Sequence, residues 1–585
     1  MRGRRTGATR GGVAALAIAL GGCSITGGDS PSSSTSASST SAPTSETGSP
    51  SGSPSPDRNG TTPGASVETF DAPTEGRDWV VLVEDPKDTP SVAGELKQQG
   101  LSLTSTNPAV GMVTLRSTED DVAQTAEGID GVEHAVTDRR LGWSPEPPPS
   151  PPATTSEPAR NQLRPPDPPT DGDPLDGWLW GMEEIDTAGA HEVTTGERDV
   201  RVGVIDTGVD SSHPDLAKAY DTKASRSFVT DMPDVDGECE HSGCVDPLGT
   251  DDAGHGTHVA GTIAAEANGI GVRGVAPDVR IVDLRAGQDA GLFLLGPTVN
   301  AITHGAEQEL DVINMSFFVD PWMYACRGGA PGDTPEEAAA QDVSIELVHR
   351  ALELAHDQGV TMVSAAGNNA LDLADPGTDD SSPNYGDDPH ARTIDATQCE
   401  TLPTDGPHVI GVSSVDEGGA LSSFSNFTSD PSSDDVAVAA PGGSQRDGRF
   451  GILSAAPRTY LQDRGDVDDE GRVTQDGASG GTVRDCPDGI DDGDPDPEAK
   501  CGLYAWLQGT SMASPHVAGV AALIISAHGE RMTPDEVVTT LRSSATDQAC
   551  PSSSGSSGDG VTCTGTTDRN GFFGDGIVDA AAAVR

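Results

Sequence analysis

Ser511 lies in Gly509-Thr510-Ser511-Met512-Ala513-Ser514-Pro515-His516-Val517-Ala518-Gly519, and the run from Val517 through Val520, Ala521, Ala522, Leu523, Ile524 and Ile525 has no charged face. Such a segment reads as a helix buried all round. A hydroxyl at its mouth faces unpaired backbone N–H groups and the positive end of the helix dipole, good ground for a nucleophile. Pro515 is expected in the first turn, where its missing N–H costs nothing. A serine before an apolar run can also be a plain cap, so its company matters. Arg201-Val202-Gly203-Val204-Ile205 fits a strand buried in a parallel sheet, and Asp206-Thr207-Gly208 ends it. Working residues of open α/β sheets gather beyond the carboxyl ends of strands, although an aspartate there is also a common turn former. Gly254-His255-Gly256-Thr257-His258 opens a helix of small apolar residues. An imidazole there can take a proton and return it near neutral pH. Two histidines three apart hint at a metal pair, but HExxH spacing is absent and His258 reads as a core histidine.

Taken together, these stretches resemble the motifs of the subtilisin-like serine proteases, in the chain order Asp206, His255, Ser511 of that family. Asp206 through Leu216 is similar to the family's aspartate motif along its whole length. The resemblance implies that Ser511 is the nucleophile, His255 the general base and then acid, and Asp206 the residue that orients the imidazole. It also makes Asn368, in Ser364-Ala365-Ala366-Gly367-Asn368 after a strand Val360 to Val363, the side-chain donor of an oxyanion hole. The backbone N–H of Ser511 would be its partner. Asp311-Val312-Ile313-Asn314-Met315-Ser316 resembles the edge that pairs with substrate backbone. Where the family usually has Leu-Gly, Phe317 and Phe318 follow, so Ser316, Phe317 and Phe318 are expected to line a narrowed cleft. No cofactor is expected for catalysis. The spacing of Asp215 and the loop Glu266 to Val272 is similar to the family's tight calcium site, which implies a structural calcium ion with Asp215 and Asn268 as side-chain ligands. A plain surface turn is the other reading of that loop.

Composition narrows the partners. The 585 residues carry 35 Lys+Arg against 93 Asp+Glu, a formal net charge of −58, and that surface repels nucleic acid and anionic membranes. Met1-Arg2-Gly3-Arg4-Arg5 followed by the apolar Val13 to Leu20 reads as a signal peptide over residues 1–22, too short to span a bilayer. Leu20-Gly21-Gly22-Cys23 resembles a bacterial lipobox, which implies lipidation of Cys23 and a lipid anchor as the only membrane contact. Removing Cys23 from nine cysteines leaves eight, an even number suited to disulfides in an oxidising compartment. Proximity in sequence suggests Cys239–Cys244, Cys486–Cys501 and Cys550–Cys563, with Cys326 and Cys399 left over, although eight cysteines leave other connectivities open.

Residues 23–66, rich in Ser, Thr, Pro and Gly, read as a tether. Over 67–143 the pattern predicts strands at Trp79 to Val83, Val110 to Leu115 and Val132 to Val136, with helices at Pro90 to Gln99 and Asp120 to Gly128. That is a small α+β domain with a sheet covered on one side. Standing before a subtilisin-like domain, it resembles a propeptide that inhibits its own enzyme. Residues 144–172 form a proline-rich linker. From 173 to 585 the expectation is a doubly wound α/β domain with a mostly parallel sheet. Insertions near Asp320 to Ala340, Leu371 to Pro407, Thr459 to Lys500 and Ala549 to Thr567 are expected on loops. The function implied is an exported serine endopeptidase acting on polypeptides; the rival is a binding scaffold that kept the fold without the activity.

Overall fold

The structure is a computed structural model that describes residues 66–70, 76–138, 172–233, 235–384, 389–444, 451–487, 489–490, 501–529, 531–551 and 562–585. The signal peptide, Cys23, the tether before residue 66 and the linker before residue 172 lie outside the described residues.

The N-terminal domain comprises β1 (Glu68–Thr69), β2 (Arg77–Val83), α1 (Thr89–Gln98), β3 (Ser102–Asn107), β4 (Met112–Ser117), α2 (Val122–Glu127) and β5 (Val132–Asp138). Its five strands form an antiparallel sheet in the order β1-β3-β4-β2-β5. The strict alternation of β2 decides what covers it. Trp79, Val81 and Val83 pack under α1 and α2 with Leu96, Leu115 and Val122. Val80 and Leu82 face the other way and join Met112 and Val136 in the core of the larger domain. The sheet is therefore covered on both faces, which corrects the one-sided expectation. β3 was hidden in the sequence because Ser102, Thr104, Ser105 and Thr106 give its run no apolar alternation.

The larger domain begins with α3 (Trp180–Glu184) and α4 (Thr187–His191), then β6 (Arg201–Ile205), β7 (Arg226–Ser227), α5 (His255–Ala264), β8 (Arg280–Arg285), α6 (Leu295–Glu307) and β9 (Val312–Met315). β10 (Ala325–Cys326), α7 (Pro335–Asp357), β11 (Thr361–Ala365), β12 (Thr378–Asp379), β13 (Arg392–Thr393), β14 (Cys399–Glu400), β15 (Val409–Val415) and β16 (Val438–Pro441) follow. The central sheet is seven-stranded and parallel throughout, in the order β16-β15-β11-β9-β6-β8-β7. Its order reverses at β6, so the crevice outside the end of β6 is where an α/β sheet places its chemistry. Val202 and Val204 pack on α5 and the last long helix; Ile205, Val282 and Ile313 pack on α6 and α7.

β17 (Ile452–Ala455), α8 (Arg458–Asp463), α9 (Gln475–Gly480), β18 (Val483–Cys486), β19 (Gly489–Ile490) and β20 (Gly502–Leu507) lead to α10 (Thr510–His528), α11 (Pro534–Ser544) and α12 (Ala580–Ala583). β17 to β20 form a second, four-stranded sheet, so the insertion expected as a loop carries regular structure. α10 is long and apolar enough to cross a membrane but is the buried core helix of this domain. Both α7 and α11 start with a Thr-Pro step and a capping box, Thr334 with Glu337 and Thr533 with Glu536. Four disulfides join Cys239–Cys244, Cys326–Cys399, Cys486–Cys501 and Cys550–Cys563. They are the pairs that proximity suggested, with the leftover pair joining the first two insertions.

Candidate active site

Asp206 is the first residue past β6 and is fully buried. Its Oδ1 accepts from the Thr207 amide at 2.8 Å and from His255 Nδ1 at 2.7 Å. His255 opens α5, half-buried at the crevice. Burial works against a proton on this imidazole, but the Asp206 charge, the bond to Asp206 and the charge of Asp251 together raise its pKa above the usual 6.5. With Nδ1 donating to Asp206, Nε2 is the nitrogen left to receive a proton.

A carboxylate that the sequence reading passed over ties these two residues together. Asp251, buried, accepts from Thr207 Oγ1 at 2.9 Å and Gly254 N at 2.8 Å through Oδ1. Its Oδ2 accepts from Thr257 N at 2.9 Å and Thr257 Oγ1 at 2.6 Å. One side chain thus joins the end of β6 to the first turn of α5. The available signal was an acidic residue just before a glycine-opened helix. The glycines are required: Gly254 has φ 80°, and a methyl on it would stand 2.6 Å from the Tyr460 ring. A methyl on Gly256 would meet Gly208 O at 2.1 Å.

Ser511 is the second residue of α10, and α10 packs against α5. Pro515 is not in the first turn as expected but inside the helix, six residues in. Its missing N–H leaves the carbonyl of Ser511 without the usual helical donor. Ser316 Oγ takes that place, 3.2 Å from Ser511 O and 2.8 Å from Ser514 Oγ. In return Ser511 Oγ donates to Ser316 O at 3.1 Å. The hydroxyl thus bonds to Ser316 rather than to His255, and catalytic hydrogen bonds commonly tighten only in the substrate complex.

Asn368 follows β11 on an exposed loop. Thr510 N and Thr510 Oγ1 both donate to its Oδ1, at 2.8 and 2.9 Å. That fixes the amide so that Nδ2 is the end left to donate, and a methyl on Gly509 would stand 3.4 Å from it. Asn426 was also missed: it accepts from the Asn369 and Leu371 amides and donates to Ala366 O, holding the loop that carries Asn368.

Ser316 is buried beneath Ser511, whereas Phe317 and Phe318 are half-buried beside it. The Phe317 ring stacks on Phe293 with centroids 4.0 Å apart and planes 3° from parallel. His258 is buried and turns Nε2 to the carbonyls of Ile452 and Ala505; burial, mainly, pushes its pKa down to about 3. It is a neutral core residue.

At the expected calcium site, Asp215 accepts from Asn268 Nδ2 at 3.1 Å, Tyr504 Oη at 2.8 Å and Val272 N at 3.3 Å. Asn268 therefore presents its NH2 to Asp215, while its Oδ1 takes the Ile270 amide. As a ligand it would have to turn its amide over, which departs from the expectation of a ready side-chain oxygen. Two carboxylates absent from that expectation, from elsewhere in the chain, bond to the same loop. Asp173 Oδ1 takes the Gly269 amide and Asp485 Oδ2 the Gly271 amide, whereas Asp173 Oδ2 and Asp485 Oδ1 are buried with no hydrogen-bond partner. Burial pushes Asp215 up to about 7 and Asp173 up to about 6. Buried hard oxygens of one sign with unused lone pairs fit a divalent cation.

The N-terminal domain closes over α6 and α7. Asp138, buried, accepts from the Leu295 and Gly296 amides that open α6, at 3.1 and 2.8 Å. Asn107 Nδ2 donates to Asn300 Oδ1 and Thr303 Oγ1, and Arg350 Nη1 donates to the carbonyls of Val83 and Val110.

The family description "Subtilase family" matches residues 197–560, more than half of the chain, a span that includes Asp206, His255, Asn368 and Ser511. The chain is 29% identical over 351 residues to the thermophilic serine proteinase of Bacillus sp. (strain AK1), covering 60% of this chain and 58% of that one. It is 29% identical over 367 residues to fervidolysin of Fervidobacterium pennivorans, covering 60% of this chain and 38% of that one, and 28% identical over 349 residues to subtilisin E of Bacillus subtilis (strain 168), covering 60% and 61%. The matches thus span less than two thirds of these relatives. Among solved structures, the epidermin leader peptide processing serine protease (EpiP) of Staphylococcus aureus shares the fold with a TM-score of 0.57 at 19% identity, over 87% of this chain and 98% of that one. Fervidolysin shares it with a TM-score of 0.50 at 22% identity, over 87% and 61%. The chain belongs to the subtilase family.

Proposed function

We propose that this protein is an exported serine endopeptidase made as a self-inhibited zymogen. The observation that carries the reading is the 2.7 Å bond from His255 Nδ1 to buried Asp206, at the reversal point of the sheet and on the helix that packs against α10, in whose first turn Ser511 lies. His255 Nε2 takes the Ser511 hydroxyl proton as Oγ attacks the peptide carbonyl. The imidazolium, stabilised by Asp206, then gives that proton to the leaving amine as the C–N bond breaks. Water hydrolyses the acyl-enzyme by the same exchange. Asn368 Nδ2 and the Ser511 N–H donate to the oxyanion, which exists only in the tetrahedral state.

The N-terminal domain is read as the propeptide. Its support is the Asp138 contact with the start of α6 and the apolar face of its sheet, buried against α6 and α7. Cleavage in the linker would separate it from the enzyme. With Cys23 as the lipidated residue, the anchor would leave with the propeptide and the enzyme would be freed from the membrane. Polypeptides are the substrates, and Phe317, stacked on Phe293 and next in the chain to the Ser316 that bonds Ser511, favours selective over broad cleavage. Asp173, Asp215 and Asp485, with Asn268 if its amide turns over, would hold a calcium ion that braces the loop after α5 and takes no part in catalysis.

The test is mass spectrometry of N-termini from medium and membrane fractions of cells making wild type or Ser511→Ala. A new N-terminus between residues 141 and 173 in wild type alone, on a chain found in the medium, is the expected result. An identical uncleaved chain in both would point to a dormant zymogen that needs another protease, or to an inactive scaffold. A mature catalytic domain that stays in the membrane fraction would refute release by activation.

A further inference from the structure

The opposite end of the parallel sheet, where β11 and β15 begin, carries a second group of chemically able side chains. His356 lies in the last turn of α7, His408 directly precedes β15, and Asp535 is the second residue of α11. The two imidazoles are stacked, with centroids 3.7 Å apart and planes 12° from parallel. His356 Nε2 stands 3.3 Å from Asp535 Oδ1, and one ligand atom from each of His356, His408 and Asp535 lies within 4.8 Å of the others. All three line a cavity of about 370 Å³, together with Asp405, Asp434, Asp435 and Arg542. His408 has φ 63°, uncommon for a residue other than glycine, and this backbone sets its ring against His356.

We propose that His356, His408 and Asp535 form a binding site for a divalent transition-metal ion of the zinc class. Two imidazoles and a carboxylate are the ligand set such ions prefer, whereas calcium and magnesium take oxygen almost alone. The 3.3 Å between His356 Nε2 and Asp535 Oδ1 matches the edge of a tetrahedron whose corners lie about 2.0–2.1 Å from its centre, the ordinary bond length of zinc to nitrogen or oxygen. Glu353 Oε2, 3.3 Å from His408 Nε2, supplies the carboxylate partner that orients a ligating histidine and leaves Nδ1 for the ion. The carboxyl-terminal end of α7 adds the negative pole of its dipole. Only short side-chain movements would be needed, because His356 and His408 retain 19% and 35% exposure and Asp535 82%. Three segments distant in sequence would then be joined by one ion, so loading should stabilise the fold. The site is separate from both the triad and the oxygen-lined loop at Asp215.

The experiment uses the full chain with Ser511→Ala, stripped with chelator and titrated with zinc in excess calcium by calorimetry. One equivalent of zinc is expected to bind with micromolar or tighter affinity and to raise the melting temperature. His356→Gln and His408→Asn, the latter suited to the left-handed backbone, are each expected to weaken binding by more than the about 10–100-fold that loss of an outer partner costs. Asp535→Asn, at an exposed position, tests the same site without risk to the core. Failure to bind zinc, or binding and stabilisation that are the same in the parent and all three variants, would overturn the proposal.

Discussion

Ser316 and Ser511 exchange two hydrogen bonds: Ser316 Oγ donates to Ser511 O at 3.2 Å, and Ser511 Oγ donates to Ser316 O at 3.1 Å. The first bond exists because Pro515 has no N–H to offer the carbonyl one turn before it. The proline that suits a helix start instead opens an acceptor, and Ser316, the first residue past β9, fills it.

Removing Ser316 Oγ should therefore loosen the start of α10. In a Ser511→Ala background, which prevents self-digestion, Ser316→Ala is expected to lower stability by about 1–3 kcal/mol through the part-buried carbonyl left without a donor. Urea unfolding measures it, and an unchanged midpoint would show that the carbonyl finds another donor.

Asp251 predicts an effect on catalysis from a residue that does not meet substrate. Asp251→Ala deletes the acceptor of four hydrogen bonds between Thr207, Gly254 and Thr257, so His255 should drift from Asp206. A loss of about 10²-fold in kcat/KM is expected, the scale of a displacement near 1 Å. Asp251→Asn, which keeps the shape and one acceptor oxygen, should recover part of it. Equal losses in both variants would mean that the charge matters more than the tether.

The pH profile follows from His255. Its pKa is raised in the folded protein, and in the proposed mechanism the neutral form is the base, so kcat/KM should rise with pH through a value above 6.5 and then level. Asp206→Asn takes away the charge that holds the proton, so its acid limb should move to lower pH while the rate falls by about 10⁴-fold, as replacing the triad aspartate does elsewhere. An acid limb that does not move would separate Asp206 from His255.

Asn368→Ala should reduce kcat by about 10²–10³, the cost of one oxyanion donor in a subtilisin, with KM little changed. Because Asn368 Oδ1 also accepts from Thr510, Asn368→Asp tests the two ends apart. It keeps the acceptor but removes the donor, and should be as slow as the alanine variant. Full activity in either variant would leave the backbone amide as the sole donor.

Much of this site is legible in the sequence because it is built from contiguous motifs at the ends of regular elements. Asp206 sits where an apolar run stops, and His255 and Ser511 sit where helices start, so local pattern places each one. What was not legible depends on pairs far apart in the chain. Nothing near Phe317 announces Phe293, and nothing near Asp215 announces Asp485. The N-terminal sheet looked one-sided because the residues that bury Val80 and Leu82 belong to α6 and α7, more than two hundred positions away. Pro515 misled for a related reason: its cost is offset by Ser316, which no local reading could supply.

The central claim is that Asp206 and His255 activate Ser511. Labelling of the chain collected from culture medium with a fluorophosphonate probe, located by mass spectrometry of its peptides, tests it most directly. The account predicts a single adduct on Ser511 that disappears in His255→Ala. A chain that takes up no probe, or carries it on another serine, would contradict the account.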